Sequence, residues 1–218
     1  MSTTRALIFA NGLLPDLEAV RNLVQEGDAL YAADGGASHI LHLGLLPGLV
    51  VGDLDSLPNE DLERLQAAGV RIVRYPQDKD LTDLELTLNS ALADGHKTIV
   101  ILAALGGRLD MILGNLNLLT RPDLRQFDIK LDDGVEQAFF VSEEVSIAGK
   151  TGDIVSLLPW RGVVKDVSTV GLRWPLIGED LKPFESRSIS NEMQTSNAII
   201  RIGSGLLLCI HRRQIQTG

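Results

Sequence analysis

Short apolar runs alternate with amphipathic stretches through the first 130 residues, and this alternation predicts a series of strand–helix units. Ala6 to Ala10 (ALIFA) is a strand-like run closed by Asn11–Gly12. Pro15 and Asp16 then open an amphipathic segment with Leu17, Val20, Leu23 and Val24 at helical spacing, which Gly27 stops. ALYAA (29–33) predicts a second buried strand, ending in Asp34–Gly35–Gly36 before a helix to about Leu43. Leu49 to Gly52 predicts a third strand, followed by the helix PNEDLERLQAA with acids in its first turn and Gly69 at its end. Val70 to Tyr75 reads as the fourth strand. Thr82 and Glu85 have the spacing of a capping box, so a helix is predicted from Asp83 to Asp94, with Leu84, Leu88, Ala91 and Leu92 inward. TIVILAAL (98–105) predicts a fully buried strand, Gly106–Gly107 turn it into a helix over about 108–120, and Phe127 to Leu131 predicts a sixth strand. Continuous apolar strands joined by helices call for a mostly parallel sheet covered on both faces.

The pattern changes near residue 133. Beyond it the apolar runs are short (QAFFV, DIVSLLP, VVKDVSTV, AIIRIG, LLLCIH), with Gly, Pro, Ser and Asn between them. No helical period survives there, and an antiparallel β-sandwich or barrel is expected. Two domains follow, 1–132 and 133–218. Gly149–Lys150–Thr151 lacks the context of a phosphate-binding loop and reads as a hairpin turn.

Composition narrows the function. A net charge of −9 disfavours a nucleic-acid partner. Cys209 is the single cysteine, which excludes an intrachain disulfide and a cysteine-based zinc site. No run approaches the ~18 apolar residues of a membrane span, and the amino terminus is too short in apolar residues for a signal peptide. A soluble cytoplasmic protein with no membrane partner is expected.

Chemistry gathers where the predicted strands end. Asp53 and Asp55 follow the third strand, and Asp80 and Asp83 precede the capped helix. Two residues apart on an extended chain, Asp53 and Asp55 point to one side. Carboxylates collected at strand ends are costly unless a cation or hydrogen bonds hold them, and magnesium is the cation that suits them best because it fills its other positions with water and phosphate oxygens. Asp34 and Asp110 add to the set, and Lys79 and Arg108 lie among the acids, able to hold phosphate or to pair with the carboxylates. Glycine turns at strand ends offer N–H groups to phosphate. A magnesium–nucleotide site is therefore expected. His39 and His42 have metal-like spacing but no third ligand, and Trp174, in the loop-like GLRWPL, is placed to stack on a flat ligand.

The ordered motifs ADGG (33–36), GDLDS (52–56), KDLTDLEL (79–86), GGRLD (106–110) with Asn115, SLLP (156–159), TVGLRWPL (169–176) and SISN (188–191) resemble the thiamine pyrophosphokinase family over nearly the whole chain. The resemblance implies a Rossmann-like α/β/α domain that binds ATP and magnesium, followed by a β-sandwich that binds thiamine. It implies a homodimer with active sites at the subunit interface, and transfer of diphosphate from ATP to thiamine with release of AMP. Asp53, Asp55 and Asp83 would organise magnesium, with Asp34 and Asp80 beside them. Lys79, Thr82, Gly106, Gly107, Arg108, Asp110 and Asn115 would serve ATP, and Trp174, Ser188, Ser190 and Asn191 would line the thiamine pocket. The family often carries His after GGRxD where this chain has Met111. Two alternatives stand beside this reading: a pyrophosphokinase for another heterocyclic alcohol such as a pterin, and a catalytically silent nucleotide or thiamine binder.

Overall fold

In the computed structural model, which describes residues 5–214, six parallel strands make the sheet of the first part of the chain. They are β1 (Ala6–Phe9), β2 (Ala29–Ala33), β3 (Leu49–Gly52), β4 (Arg71–Arg74), β5 (Thr98–Leu102) and β6 (Asp128–Asp132). Their order is β6-β5-β1-β2-β3-β4. The chain winds outward from β1 to β4 and then crosses back to place β5 on the other side of β1. The sheet therefore reverses direction between β1 and β5, and in parallel sheets the crevice outside the strand ends at such a reversal is where ligands bind.

Helices α1 (Leu17–Arg21), α2 (Gly36–His42), α3 (Asn59–Ala67), α4 (Asp83–Ala93) and α5 (Leu109–Leu118) alternate with these strands. Leu7, Phe9, Val50, Val100 and Leu102 share a buried cluster with Val20, Ile40 and Leu65 from α1, α2 and α3. The alternate residues Ile8, Ile99 and Ile101 are also fully buried, and α4 packs on β1, β2 and β3. Burial on both faces explains why these strands read as unbroken apolar runs. β4 is the exception, with Arg71 and Arg74 exposed at the sheet edge. Leu84, Leu88 and Ala91 face inward as expected, joined by Thr87, while Leu92 is only half-buried.

One helix is shorter than its pattern predicts. Asp16 caps α1 by accepting from the Ala19 N–H at 2.9 Å, but the helix stops at Arg21. The Leu23 carbonyl accepts instead from the Arg5 guanidinium at 2.6 Å, and Arg5 is itself paired with Asp28. After Arg21 the Leu23 and Val24 N–H groups donate three residues back, to Val20 and Arg21, and the long-range cation holds the turn that follows.

A second compact unit begins at Val135. One antiparallel set contains β12 (Asn191–Glu192), β9 (Ile154–Pro159), β14 (Leu207–Arg212) and β7 (Glu136–Val141), in that order. The other contains β11 (Glu179–Leu181), β10 (Val164–Val170), β13 (Asn197–Arg201) and β8 (Glu144–Ala148). Val141, Val155, Leu157, Leu207 and Cys209 from the first set share one buried cluster with Ile147, Val164, Val167, Ala198 and Ile200 from the second. Burial pushes the Cys209 thiol well above its ordinary pKa, leaving it an inert apolar side chain.

Strands β8, β11 and β12 had no sequence signal, because two are very short and β8 fully buries only Ile147. The Gly149–Lys150–Thr151 turn is not a hairpin: β8 and β9, which it joins, belong to different antiparallel sets. Asp153 holds that turn, accepting from the Lys150 N–H at 2.9 Å. No helix among the described residues is long and apolar enough to cross a membrane.

Candidate active site

The first unit opens a cleft of about 520 Å³ at the reversal between β1 and β5. Residues 10–13 after β1 and the segment from Ala103 to Arg108 after β5 form its walls. Gly12 lets these walls meet: a Cβ there would lie 2.3 Å from the Ala103 carbonyl oxygen and 2.8 Å from that of Gly106. From the other strand ends come Asp34, Gln77, Lys79, Thr82 and Asp83, with Met111 and Asn115 from α5. Thr82 is the N-cap of α4, its hydroxyl accepting from the Glu85 N–H at 3.2 Å. That cap sets Asp83 as the first helical residue and aims it at the cleft. Asn115 is buried and donates to the Ala104 carbonyl at 3.0 Å, tying α5 to the loop after β5.

Three carboxylates converge here. Asp34, Asp53 and Asp83 each present an oxygen, and these oxygens all lie within 4.8 Å of one another. Gly52 makes the approach possible, since a Cβ on it would sit 3.0 Å from the Asp34 Cβ. The Asp34 N–H donates to the Val51 carbonyl at 2.8 Å, closing the same junction. Asp34 has a left-handed backbone (φ 49°) and is 5% exposed, and its Oδ1 is buried with no hydrogen-bond partner. A buried carboxylate oxygen left bare is costly unless a cation meets it.

Lys79 is the one cation against this cluster among the described residues, at 3.1 Å from Asp83 Oδ1 and 3.8 Å from Asp53 Oδ2. Burial alone would lower the Lys79 pKa, but the contact and charge of Asp83, with Asp53 and Asp34 behind it, hold the ammonium above its usual value. Asp83 is pushed above the usual carboxylate range by burial first and by Asp53 and Asp34 next, against the opposing pull of Lys79. Three acids and one lysine leave two negative charges, which a divalent ion balances. Oxygen-only donors, two of them buried with no hydrogen-bond partner, fit magnesium better than a softer metal.

The remaining sequence candidates are placed differently. Asp55 is exposed and outside the three-acid cluster; its carboxylate accepts from Gln77 at 2.8 Å and from Ser56 at 3.1 Å. Asp80 is exposed in the turn before Thr82. Asp110 forms an exposed two-bond pair with Arg108, at 2.6 and 3.1 Å, and Arg108, Gly106 and Gly107 line the cleft. Gln77, two residues before the KDLTDLEL motif, carries no signal of its own in the sequence. The Nε2 of His39 lies 2.9 Å from the Gly12 carbonyl, as a structural group.

The second unit has its own open cleft of about 650 Å³, lined by Trp174, Phe184, Arg187, Ser188, Ile189 and Asn191 among others. Trp174 is half exposed, with the Arg173 guanidinium 4.8 Å from its ring centre. Asn191 is buried, and its side chain is fully engaged: Nδ2 donates to the Trp174 carbonyl at 2.6 Å and Oδ1 accepts from the Trp174 N–H at 3.0 Å. Ser188 and Ser190 have left-handed backbones (φ 75° and 59°), the Ser188 hydroxyl donating to the Leu157 carbonyl and the Ser190 N–H to the Ser156 hydroxyl.

Fold and cleft together define a class: an α/β protein whose parallel strand ends deliver an acid cluster and a lysine to the crevice at the reversal of the sheet, where such folds bind ligands. Comparison with known proteins narrows it. Residues 20–151 match the model of the thiamin pyrophosphokinase catalytic domain, and residues 141–207 that of the thiamin pyrophosphokinase vitamin B1 binding domain. The chain is 28% identical over 200 residues to thiamine pyrophosphokinase of Bacillus subtilis, covering 91% of this chain and 92% of the relative. It is 28% identical over 233 residues to thiamine pyrophosphokinase 1 of Arabidopsis thaliana, at 95% and 86% coverage. The crystal structure of the Bacillus subtilis thiamine pyrophosphokinase superposes with a TM-score of 0.87 at 25% identity, covering 97% of this chain and all of that one. This chain belongs to the thiamine pyrophosphokinase family.

Proposed function

We infer that this protein transfers diphosphate from ATP to the hydroxyl of thiamine, giving thiamine diphosphate and AMP. The observation that carries the chemistry is the acid cluster at the β1–β5 cleft, with its orphaned Asp34 oxygen, in a chain of this family. Asp34, Asp53 and Asp83 would hold magnesium, and Asp55 joins the acid set through Gln77, which lines the same cleft. When bound, the ion supplies charge neutralisation along the polyphosphate. Lys79 and Arg108 neutralise phosphate oxygens, and the Thr82 cap, with Asp80 in the turn before it, fixes the start of α4. Gly106, Gly107, Asp110 and Asn115 shape the loop that follows β5 around ATP.

The thiamine oxygen bonds to the β-phosphorus as the bond from that phosphorus to the α–β bridging oxygen breaks. AMP leaves with that oxygen, and the hydroxyl proton passes to a carboxylate or to water. Such a transfer asks the protein mainly for positioning and charge compensation, which the cleft residues provide. Trp174 offers a flat face to the heterocycle, with Ser188 and Ser190 beside it, and Asn191 holds the Trp174 peptide.

The same reading covers the architecture: a Rossmann-like α/β/α domain for ATP and magnesium, then a β-sandwich for thiamine. It includes a cytoplasmic location and a homodimer with active sites at the subunit interface. Exposed Ile177 and Phe184, 83% and 80% accessible, support a surface that another chain covers. Incubation with ATP, magnesium and thiamine tests the function directly. AMP and thiamine diphosphate are expected in equal amounts; ADP, or no nucleotide product, overturns it.

A further inference from the structure

Lys79 sits where a cation belongs. Its ammonium lies 3.1 Å from Asp83 and 3.8 Å from Asp53, two of the three clustered acids, and also donates to the Pro76 carbonyl at 3.1 Å. The side chain is only 14% exposed, so this is no loosely solvated surface pair. Asp34, the third acid, keeps a buried oxygen without a partner, which the ammonium does not reach. The lysine thus meets the cluster by charge alone and leaves Asp34 Oδ1 and Asp83 Oδ1 both buried with no hydrogen-bond partner.

An octahedral magnesium needs neighbouring ligand oxygens roughly 3 Å apart. Drawing the three acids onto one ion puts a double positive charge beside the ammonium, and the two cations repel strongly at that range. Lys79 has somewhere to go, because it also lines the cleft proposed to take the nucleotide.

We propose that Lys79 is the resident counter-cation of the acid cluster, displaced from Asp83 when a divalent ion enters and handed over to a phosphate oxygen of the nucleotide. This rests on the magnesium–ATP reading of the cleft and deepens it. One residue then opposes metal binding when nucleotide is absent and favours it when nucleotide is present. The ion alone binds weakly; the ion with its nucleotide binds well. A simple phosphate ligand does only the second, and a simple structural ion pair does neither.

The test is Mn2+ binding to the full-length protein, followed by electron paramagnetic resonance and calorimetry, with and without ATP. Lys79→Met keeps the length of the side chain and removes the charge. It is expected to bind Mn2+ alone about tenfold or more tightly than wild type, and to bind ATP in the presence of Mn2+ less tightly. Lys79→Arg keeps the charge and is expected to bind Mn2+ alone as wild type does. Should Lys79→Met misfold, Lys79→Gln carries the same expectations. Unchanged or weaker binding of Mn2+ alone by the neutral variants overturns the counter-cation role while leaving the metal site standing. If wild type binds Mn2+ with or without ATP and Asp34→Asn binds it equally well, or if no variant binds it at all, the reading of the cleft fails, and this inference with it.

Discussion

Replacing Asp34 with Asn isolates the cost of assembling the acid cluster from its use. The three carboxylates bring oxygens within 4.8 Å of one another, and the Asp53 and Asp83 side chains are only 15% and 23% exposed. At an effective dielectric near 20, one pair of unit charges at that separation costs about 3 kcal/mol. Asp34 makes two such pairs, about 7 kcal/mol together, and Lys79, paired with the other two acids, offsets about half, leaving a net repulsion on Asp34 of about 3 kcal/mol. Asn keeps the shape and removes the charge, so Asp34→Asn is expected to raise the metal-free Tm by about 6–12 °C. Diphosphate transfer is expected to fall by about a hundredfold or more, as when a group that stabilises developing charge is removed. Magnesium narrows that gap. Wild type gains about 2.7 kcal/mol when the ion stands at a hundred times its Kd, whereas the variant gains little. Thermal melts in EDTA and in magnesium, run beside an AMP-release assay, read all three effects. A variant that melts lower than wild type in EDTA, or that magnesium stabilises equally, refutes the placing of Asp34 in an ion site.

Trp174→Ala is expected to raise the KM for thiamine about 3–10-fold with little change in the KM for ATP; steady-state kinetics with each substrate varied check this, and an effect on ATP alone removes Trp174 from the pocket. Asn191→Ala, which frees the Trp174 peptide at both ends, is expected to shift the thiamine KM in the same direction, and a double variant with Trp174→Ala should add little. A third expectation concerns the buried contact of Asp153 with His211, at 2.9 Å. Burial would raise the Asp153 pKa, but N–H groups of Gln214 and Lys150, and then His211, outweigh it and hold the carboxyl below its usual range. A depressed folded pKa stabilises above the unfolded value near ~4 and is lost as pH falls through the folded one. Asp153→Asn is expected to cost about 2 kcal/mol, the worth of a hydrogen bond to a charged group, and to flatten the acid limb of the stability curve, both readable from urea melts between pH 3 and 7.

The strand–helix order of the first unit was legible because strands buried on both faces read as unbroken apolar runs, and Thr82 announced α4 through its cap. The three-acid cluster was legible only in part. Two-residue alternation put Asp53 and Asp55 on one side, but β3 ends at Gly52, and Leu54 adopts a left-handed backbone (φ 67°) that carries its side chain into the core. Alternation holds only while the chain stays extended. Asp55 therefore turns to Gln77, and Asp34, itself left-handed, completes the cluster. The length of α1 was hidden because the chain after Arg21 tightens into turns, with Leu23 and Val24 donating three residues back, and Arg5, distant in sequence, holds the Leu23 carbonyl there.

By itself the amino-acid sequence determined which residue types stand at strand ends: acids, glycines and a lysine after apolar runs, since local period and turn chemistry place those. Only the tertiary structure decided which of them meet. That depends on strand order, which sets β5 beside β1 and brings the ends of β2, β3 and α4's cap to one crevice, and pairing between distant strands leaves no local mark in the chain.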